Sequence, residues 1–285
     1  MTMTPGQGFG DRLAQAMRQY GPLCVGVDPH ATLLQRWGLD NTAQGAEKFS
    51  LSVLEAAQGH AAVIKPQVAF FERFGSAGIA VLERLLVEAR SADVLVIADA
   101  KRGDIGSTMA AYAETWLGEN SPLGTDSVTV SPYLGFESLR PAFDTAQQQN
   151  RGTFVLALTS NPEGQTVQHV GGTDSVAAGI IADAERENAR EKFTDMGSCG
   201  LVIGATVGDA LKKLEIDLSS FNGPILAPGY GAQGATAQTL YEVFAGSESQ
   251  ILVNSSREIL RHGPRVEDLT ASIKSHNETL LGFII

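Results

Sequence analysis

The stretch Val94-Leu-Val-Ile-Ala98 runs directly into Asp99-Ala-Lys101-Arg-Gly-Asp104, so an apolar segment ends in a cluster of charged residues. Near-continuous apolar character is typical of a strand that is buried on both faces, as in a parallel sheet, whereas a half-solvated antiparallel strand usually alternates. The stretch therefore predicts a buried parallel strand that carries polar chemistry at its carboxyl end.

Similar short apolar or β-branched runs recur along the whole chain, and each ends in a polar or glycine-rich turn. The predicted strands cover residues 23–27, 62–64, 94–98, 127–130, 153–157, 201–203, 225–227 and 251–253. Segments with the spacing of amphipathic helices lie between them. These predicted helices cover residues 46–57, 79–89, 109–117, 176–193, 207–214, 235–244 and 266–281.

The order of these segments decides the fold class. Eight units of strand and helix in one chain favour a (β/α)8 TIM barrel over an open, doubly wound sheet. A further amphipathic stretch, 9–18, precedes the first strand and is expected to close the bottom of the barrel. No linker or change of composition divides the chain, so we expect a single domain over residues 1–285, in which residues 1–20 form an N-terminal helical extension.

The charge balance limits the possible partners. The formal net charge is −11, with 21 Lys and Arg against 32 Asp and Glu. A general nucleic-acid surface or an anionic-membrane surface needs a basic footprint, so we expect neither partner. If the ligand is an anion, its site must be a local positive pocket on an acidic molecule.

The expected compartment is the cytoplasm. The two cysteines, Cys24 and Cys199, lie in or beside apolar runs and are too few for a disulfide framework, which indicates buried thiols. The first residues lack the basic start and apolar stretch of a signal peptide. No apolar run has the length of a membrane span.

Active sites of TIM barrels lie at the carboxyl ends of the strands. Asp28, Lys65 and Asp99 finish the first three predicted strands. Residues two apart on a strand share a face, so Asp99 and Lys101 should point the same way and keep each other ionised. A structural ion pair at a strand end would explain Asp99 and Lys101 alone, but the second cation at Lys65 favours a functional site.

With these charges, a set of motifs in fixed order resembles the orotidine 5′-phosphate decarboxylases, in particular their longer bacterial branch. Asp99-x-Lys101-x-x-Asp104 followed by Ile105-Gly-Ser-Thr108 is similar to the signature of that family. The other matching stretches are Leu23-Cys-Val-Gly-Val-Asp28-Pro-His, Lys65-Pro-Gln-Val-Ala-Phe-Phe-Glu, Ser131-Pro-Tyr-Leu-Gly, Thr159-Ser160-Asn-Pro, Pro228-Gly-Tyr-Gly-Ala-Gln233-Gly and Ser-Ser-Arg257. An isolated D-x-K-x-x-D is moderately specific, whereas the ordered set spans the chain from the first strand to the eighth.

The resemblance implies a role for each matching residue. Lys65, Asp99, Lys101 and Asp104 match an alternating network of lysines and aspartates. In the family, the residues that match Asp104 and Thr108 serve the neighbouring subunit's site, which implies a homodimer with shared active sites. The remaining matches are substrate-binding groups: Asp28 for the ribose, Ser160 for the pyrimidine amide, and Gln233 and Arg257 for the 5′-phosphate.

Plainer explanations exist for the binding residues. Asp28 precedes a proline and could only shape a turn. Ser160 could be a turn serine, and its neighbours Thr159 and Asn161 could contact the pyrimidine instead. Backbone amides of the glycine-rich loop could hold phosphate without Gln233. Arg257 could be a surface arginine at a helix start, although many barrels bind phosphate after strand eight.

The resemblance implies decarboxylation of orotidine 5′-phosphate (OMP) to uridine 5′-phosphate (UMP) in pyrimidine biosynthesis. The sequence shows no thiamine, pyridoxal or metal motif, and the five histidines are scattered, so we expect no cofactor and no metal. Electrostatic stabilisation of a C6 carbanion and its protonation by Lys101 would then have to drive the reaction.

Three alternatives stay open at this point. A magnesium-dependent barrel enzyme such as a hexulose-phosphate synthase or ketogulonate-phosphate decarboxylase shares D-x-K-x-x-D, but it carries an acidic residue where this chain has Lys65. A Schiff-base aldolase could use Lys65 or Lys101 as its nucleophile, although the flanking Asp99 would keep a lysine protonated. A non-catalytic phosphate-binding barrel is the third.

Overall fold

The chain forms a closed barrel of parallel strands, which confirms the predicted TIM barrel. The computed structural model describes residues 7–231 and 234–284. Its strands are β1 (Leu23–Val27), β2 (Val63–Pro66), β3 (Leu95–Arg102), β4 (Ser127–Val130), β5 (Gly152–Leu158), β6 (Cys199–Ile203), β7 (Ile225–Pro228) and β8 (Ile251–Ser255). They are hydrogen-bonded in sequence order, and β8 pairs with β1 to close the barrel.

The strand predictions differ from the structure mainly at the carboxyl ends. β1 and β4 have the predicted bounds, but β3 continues four residues beyond 98 and ends at Arg102. The predicted strand ends at residue 98, where the charged residues begin, because charged residues are rarely buried. The strand can continue through these charged residues because Asp99 forms ion pairs with Lys65 and Lys101.

Helices surround the barrel. They are α1 (Phe9–Tyr20), α2 (Ala31–Arg36), α3 (Ala43–Ala57), α4 (Ala69–Glu72), α5 (Gly75–Ser91), α6 (Gly106–Leu117), α7 (Arg140–Gln148), α8 (Gln165–Gln168), α9 (Val176–Asn188), α10 (Gly208–Lys213), α11 (Ala237–Val243), α12 (Arg257–Leu260) and α13 (Val266–Ile284). Within the described parts of the chain, none of these helices is long and apolar enough to cross a membrane.

One full crossover helix, α7, was not predicted from the sequence. Its buried residues are only Ala142, Phe143 and Ala146, and a glutamine run follows them, so its apolar stripe is short. The predicted helix 176–193 is shorter in the structure, where α9 ends at Asn188.

Helix α1 closes the bottom of the barrel, as the sequence predicts. Phe9 and Leu13 are fully buried in a cluster with inward-facing strand residues such as Phe154 and Leu252. The rings of Phe9 and Phe154 meet edge to face, with centroids 6.0 Å apart. Burial of one such aromatic side chain stabilises the fold by about 1.5–3 kcal/mol. Residues 1–6 of the predicted extension lie outside the described residues.

Candidate active site

A triad of charges lies at the carboxyl ends of β2 and β3, and two of its three members are buried. The Nζ of Lys65 donates a hydrogen bond of 2.8 Å to Oδ2 of Asp99, and the Nζ of Lys101 donates to Oδ1 of the same carboxylate. Lys65 is 4% exposed and Asp99 7% exposed, whereas Lys101 is exposed to the mouth of the barrel. The structure therefore brings three of the four predicted network residues into direct contact.

The two buried charges of this triad, those of Lys65 and Asp99, stabilise each other. Burial raises the pKa of Asp99, but the positive charges of Lys65 and Lys101 outweigh it and hold that pKa well below its ordinary value. Burial likewise opposes ionisation of Lys65, yet the negative charges of Asp99 and Asp28 raise its pKa above the ordinary value. The Asp99 carboxylate and the Lys65 ammonium thus persist in a largely dry pocket at neutral pH.

The predicted contact between Asp99 and Lys101 exists, but its predicted cause is wrong. It does not arise from the regular two-residue alternation of a strand. The register between β3 and β4 shifts between Ala98 and Arg102. Lys101 has a φ of +46°, in the left-handed region that a lysine seldom adopts. A local irregularity in β3 therefore brings the Lys101 ammonium back to Asp99.

Two neutral residues of the site were missed by the sequence analysis. The side chain of Gln67 donates 2.9 Å to Oδ2 of Asp99, and the hydroxyl of Thr129 donates 3.0 Å to its Oδ1. Gln67 lies within the Lys65-Pro-Gln motif. Its position two residues after Lys65 could have indicated that it belongs to the site. Thr129 sits inside β4 and reads as an ordinary β-branched strand residue.

Asp28 follows β1 and faces the same pocket. Its negative charge contributes to the raised pKa of Lys65, which places it in the charge network. Its Oδ1 is buried without a hydrogen-bond partner among the described residues. A side chain at Gly26 would clash with Ser256 and touch Asp28, so the missing Cβ lets the β1 end meet the turn after β8. An unpaired buried acceptor here fits a ligand with hydroxyl donors.

The turn after β8 supplies the expected local positive pocket. Arg257 is exposed at the first residue of α12 and lines a cavity of about 370 Å³ together with His30, Arg36 and Arg261. Burial lowers the pKa of His30, and the charges of Arg257 and Arg36 lower it further against the opposing charge of Asp28. Glu258 also lines this cavity and pairs with Arg261 at 2.9 Å. Three arginines against one glutamate suit an anionic group such as a phosphate.

The glycine-rich loop after β7 lies beside that pocket. Gly229, Gly231 and Gly234 all have positive φ values, which only glycine adopts without strain. A Cβ at Gly231 would lie 2.3 Å from a side-chain carbon of Glu258, the neighbour of Arg257. Gln233, the predicted phosphate ligand on this loop, lies outside the described residues.

Ser160 lies in the segment that leaves β5 at the mouth of the barrel. Its Cβ is 3.2 Å from the position that a Cβ would take at Gly204, so the ends of β5 and β6 approach closely. The neighbouring Thr159 donates 2.7 Å to Asn161 and accepts 2.8 Å from Gln168. The side chains of Thr159 and Asn161 are thus engaged within this segment.

Asp104 and Thr108 do not join the triad within one chain. Oδ1 of Asp104 accepts a hydrogen bond of 2.7 Å from the backbone N–H of Ile105, and Thr108 is exposed on α6. Over residues 7–231 and 234–284, no ion pair joins Asp104 to a basic side chain. Within a single chain, Asp104 therefore lies apart from the triad.

The described residues contain no group of three or more His, Cys, Asp or Glu side chains arranged to hold a metal ion. The donors that converge on the site are instead ammonium groups, an amide and a hydroxyl around one carboxylate. This arrangement presents positive charge at the mouth of the barrel and can stabilise a negative charge that develops beside Lys101.

Comparisons with known proteins agree with this geometry. The Orotidine 5′-phosphate decarboxylase / HUMPS family model matches residues 21–271. The orotidine 5′-phosphate decarboxylase of Streptomyces coelicolor is 55% identical over 263 residues, which cover 92% of each chain. That of Salinispora arenicola is 51% identical over 268 residues, covering 93% of this chain and 94% of the relative.

Solved structures show the same relationship. A crystal structure described as an orotidine 5′-phosphate decarboxylase from Streptomyces avermitilis superposes with a TM-score of 0.90 at 52% identity, covering 100% of this chain and 99% of the other. The OMP decarboxylase of Leishmania donovani superposes with a TM-score of 0.79 at 29% identity, covering 98% and 99%. The chain therefore belongs to the Orotidine 5′-phosphate decarboxylase / HUMPS family.

Proposed function

We propose that this protein is a carboxy-lyase that converts orotidine 5′-phosphate to uridine 5′-phosphate and carbon dioxide in pyrimidine biosynthesis. The observation that carries the proposal is the triad of Lys65, Asp99 and Lys101 at the mouth of the barrel. The name shared by relatives that are 50–55% identical supports it.

The reaction needs a positive group at one position. Loss of carbon dioxide from C6 of the pyrimidine leaves an electron pair in an sp² orbital that the ring cannot delocalise. An ammonium beside C6 stabilises that pair in the transition state and then supplies the proton. Lys101 is the exposed cation of the triad and takes this role, while Asp99 orients it and lies against the departing carboxylate.

The remaining residues are proposed to bind the substrate. Asp28 would accept hydrogen bonds from the ribose hydroxyls, which its unpaired buried Oδ1 supports. Ser160 would face the pyrimidine amide, and Gln233 and Arg257 would hold the 5′-phosphate. The phosphate is remote from C6, so its binding energy can close the glycine-rich loop over the site.

We also propose a homodimer whose subunits share their active sites through Asp104 and Thr108. The segment after β3 leaves the barrel beside the segment after β4, because the N–H of Ser131 donates 2.8 Å to the carbonyl of Arg102. Three large apolar residues in these segments are exposed: Ile105 at 61%, Tyr133 at 79% and Leu134 at 53%. These exposed apolar residues lie near Asp104, which forms no ion pair within the described residues. The segments after β3 and β4 are therefore the favoured dimer interface.

The proposed protein is one barrel domain over residues 1–285 that acts in the cytoplasm. The buried free thiols of Cys24 and Cys199 support a reducing compartment. The acidic net charge of −11 supports a small-molecule substrate over a nucleic acid.

Two structural arguments favour this function over its enzyme rivals. Lys65 places a cation where the magnesium-dependent barrels carry an acidic residue, and a cation repels a metal. A Schiff-base aldolase needs a neutral amine, whereas the raised pKa of Lys65 keeps it protonated. A non-catalytic barrel would have no need for the buried ion pair of Lys65 and Asp99, since buried charges cost free energy.

The test is product analysis. We expect the purified protein to consume OMP and to release UMP and carbon dioxide in equal amounts. Lys101→Ala should lose nearly all turnover but still bind UMP, because the ammonium acts chiefly on the transition state. A wild-type protein without OMP turnover would refute the function. A Lys101→Ala variant that keeps more than a few per cent of wild-type kcat would remove Lys101 as the proton donor.

A further inference from the structure

One hydroxyl links the two halves of the reacting ion pair. The Oγ1 of Thr129, in the middle of β4, donates 3.0 Å to Oδ1 of Asp99 and accepts 2.9 Å from the backbone N–H of Lys101. The residue is 1% exposed, so water does not compete for either bond. A threonine hydroxyl has one proton to donate and lone pairs to accept. The nearer acceptor for its proton is Asp99, since the carbonyl of Ala98 lies at 3.5 Å.

The backbone that Thr129 contacts is held in an unusual conformation. Lys101 has a φ of +46°, at the point where the pairing of β3 with β4 shifts its register. A non-glycine residue stays in the left-handed region only where its surroundings fix it. The hydrogen bond from the Lys101 N–H to Thr129 is such a constraint, because it ties the main chain to β4 at the point of the register shift.

The same irregularity brings the Lys101 ammonium to Oδ1 of Asp99. Oδ1 therefore receives two donors, the Lys101 side chain and the Thr129 hydroxyl, and the Thr129 hydroxyl also holds the Lys101 main chain. If Thr129 were only a buried strand residue, packing would explain the β-branched shape of its side chain. It would not explain hydrogen bonds from one hydroxyl to both residues of one ion pair.

We propose that Thr129 is a positioning residue for the decarboxylation: its hydroxyl holds the left-handed backbone of Lys101 and the carboxylate of Asp99 in the geometry that presents the ammonium to C6. This inference rests on the proposed function, since it concerns how Lys101 reaches the reacting carbon.

The decisive variants separate the hydroxyl from the side-chain shape. Thr129→Val keeps the β-branched shape and removes both hydrogen bonds, whereas Thr129→Ser keeps the hydroxyl. We expect Thr129→Val to lower kcat about 100-fold, as a displacement of about 1 Å of a catalytic group does, with the affinity for UMP changed less than about threefold. Thr129→Ser should retain most of the activity.

A matched control lies two residues before the start of the same strand. Thr125 is also buried, and its hydroxyl contacts the carbonyls of Trp116 and Ser127, far from the site. Thr125→Val should lower the melting temperature without lowering kcat. This control separates a loss of stability from a loss of positioning.

Two further readouts distinguish positioning from a general structural role. A crystal structure of Thr129→Val should show Lys101 outside the left-handed region. In single-turnover experiments with excess enzyme, Thr129→Val should lower the rate little further when Lys101 is already alanine. Both changes remove the same contribution, that of the positioned Lys101 ammonium. If the valine variant does not fold, Thr129→Cys takes its place, since a thiol is only a weak hydrogen-bond donor.

Wild-type turnover of OMP, measured alongside, tests the proposed function by itself. If wild type turns over OMP and a folded Thr129→Val keeps kcat within about twofold, the positioning role is refuted. A left-handed Lys101 in the structure of an inactive Thr129→Val would also overturn it, as would full additivity with Lys101→Ala.

Discussion

The Nζ of Lys65 lies 2.8 Å from Oδ2 of Asp99, and this ion pair is buried at the end of the barrel where the active site of such folds lies. The side chains are 5% and 9% exposed, so solvent screens their attraction little. Transfer of two charges from water into such a pocket is costly, and the pair gains only moderate net stability from its attraction. Loss of one partner is a different matter, because the remaining charge stays buried alone.

Asp99→Asn is therefore expected to lower the free energy of unfolding by about 3–5 kcal/mol, the usual cost of breaking a buried ion pair. Urea denaturation of wild type and variant measures it. The matched control is the double variant Asp99→Asn with Lys65→Met, which removes the stranded cation. We expect it to recover much of the lost stability and to remain inactive; a double variant as unstable as the single one would contradict this account of the pair.

The ion pair of Lys65 and Asp99 also sets the pH range over which Asp99→Asn lowers the free energy of unfolding. Folding lowers the pKa of Asp99, so its contribution is present above the unfolded value of about 3.9 and is lost as the pH falls through the lower folded value. Folding raises the pKa of Lys65, so its contribution is present below about 10.4 and is lost as the pH rises through the higher folded value. The deficit of Asp99→Asn should stay constant between about pH 5 and pH 7 and should shrink as the pH falls below about 4.

Much of the fold could be predicted because hydrophobic periodicity sets it. The apolar runs 23–27 and 127–130 became β1 and β4 with the predicted bounds. Helix α7 escaped prediction because only three of its residues are buried, so it has little apolar stripe for a sequence to reveal.

Arg257→Ala should cost about 2–5 kcal/mol of transition-state stabilisation, because it removes a charged partner of the bound phosphate. The ratio of kcat/KM between wild type and variant measures this loss. The effect should largely vanish on a truncated substrate that lacks the phosphate. Arg265→Ala is the matched control, since Arg265 is exposed and paired with Asp268 at 2.7 Å. An equal loss on both substrates would place Arg257 elsewhere than at the phosphate.

The shared site predicts complementation between two inactive variants. Lys101→Ala and Asp104→Ala should each be nearly inactive as homodimers, because every pocket carries one defect. After unfolding, equal mixing and reassembly, half of the dimers are mixed, and each mixed dimer has one intact pocket. Activity should therefore rise toward about a quarter of wild type. Mixed dimers that form, as separated by a charge tag, and stay inactive would show that Asp104 serves its own subunit.

The candidate site could be predicted in part. Lys65, Asp99 and Lys101 were found because charges at consecutive strand ends are rare in a buried barrel. Thr129 and the left-handed backbone of Lys101 were not, because a register shift between β3 and β4 depends on the packing of both strands. The partner of Asp104 could not be read from one chain either, because within the described residues it forms no ion pair.

The central claim is that protein charges alone drive the decarboxylation, and the most direct test is the rate of carbon dioxide release from OMP by metal-stripped enzyme. Exhaustive EDTA treatment and dialysis should leave kcat unchanged, and added magnesium should not increase it, because Lys101 supplies both the charge and the proton. Turnover that disappears with EDTA and returns with magnesium would contradict the account and favour the metal-dependent alternative.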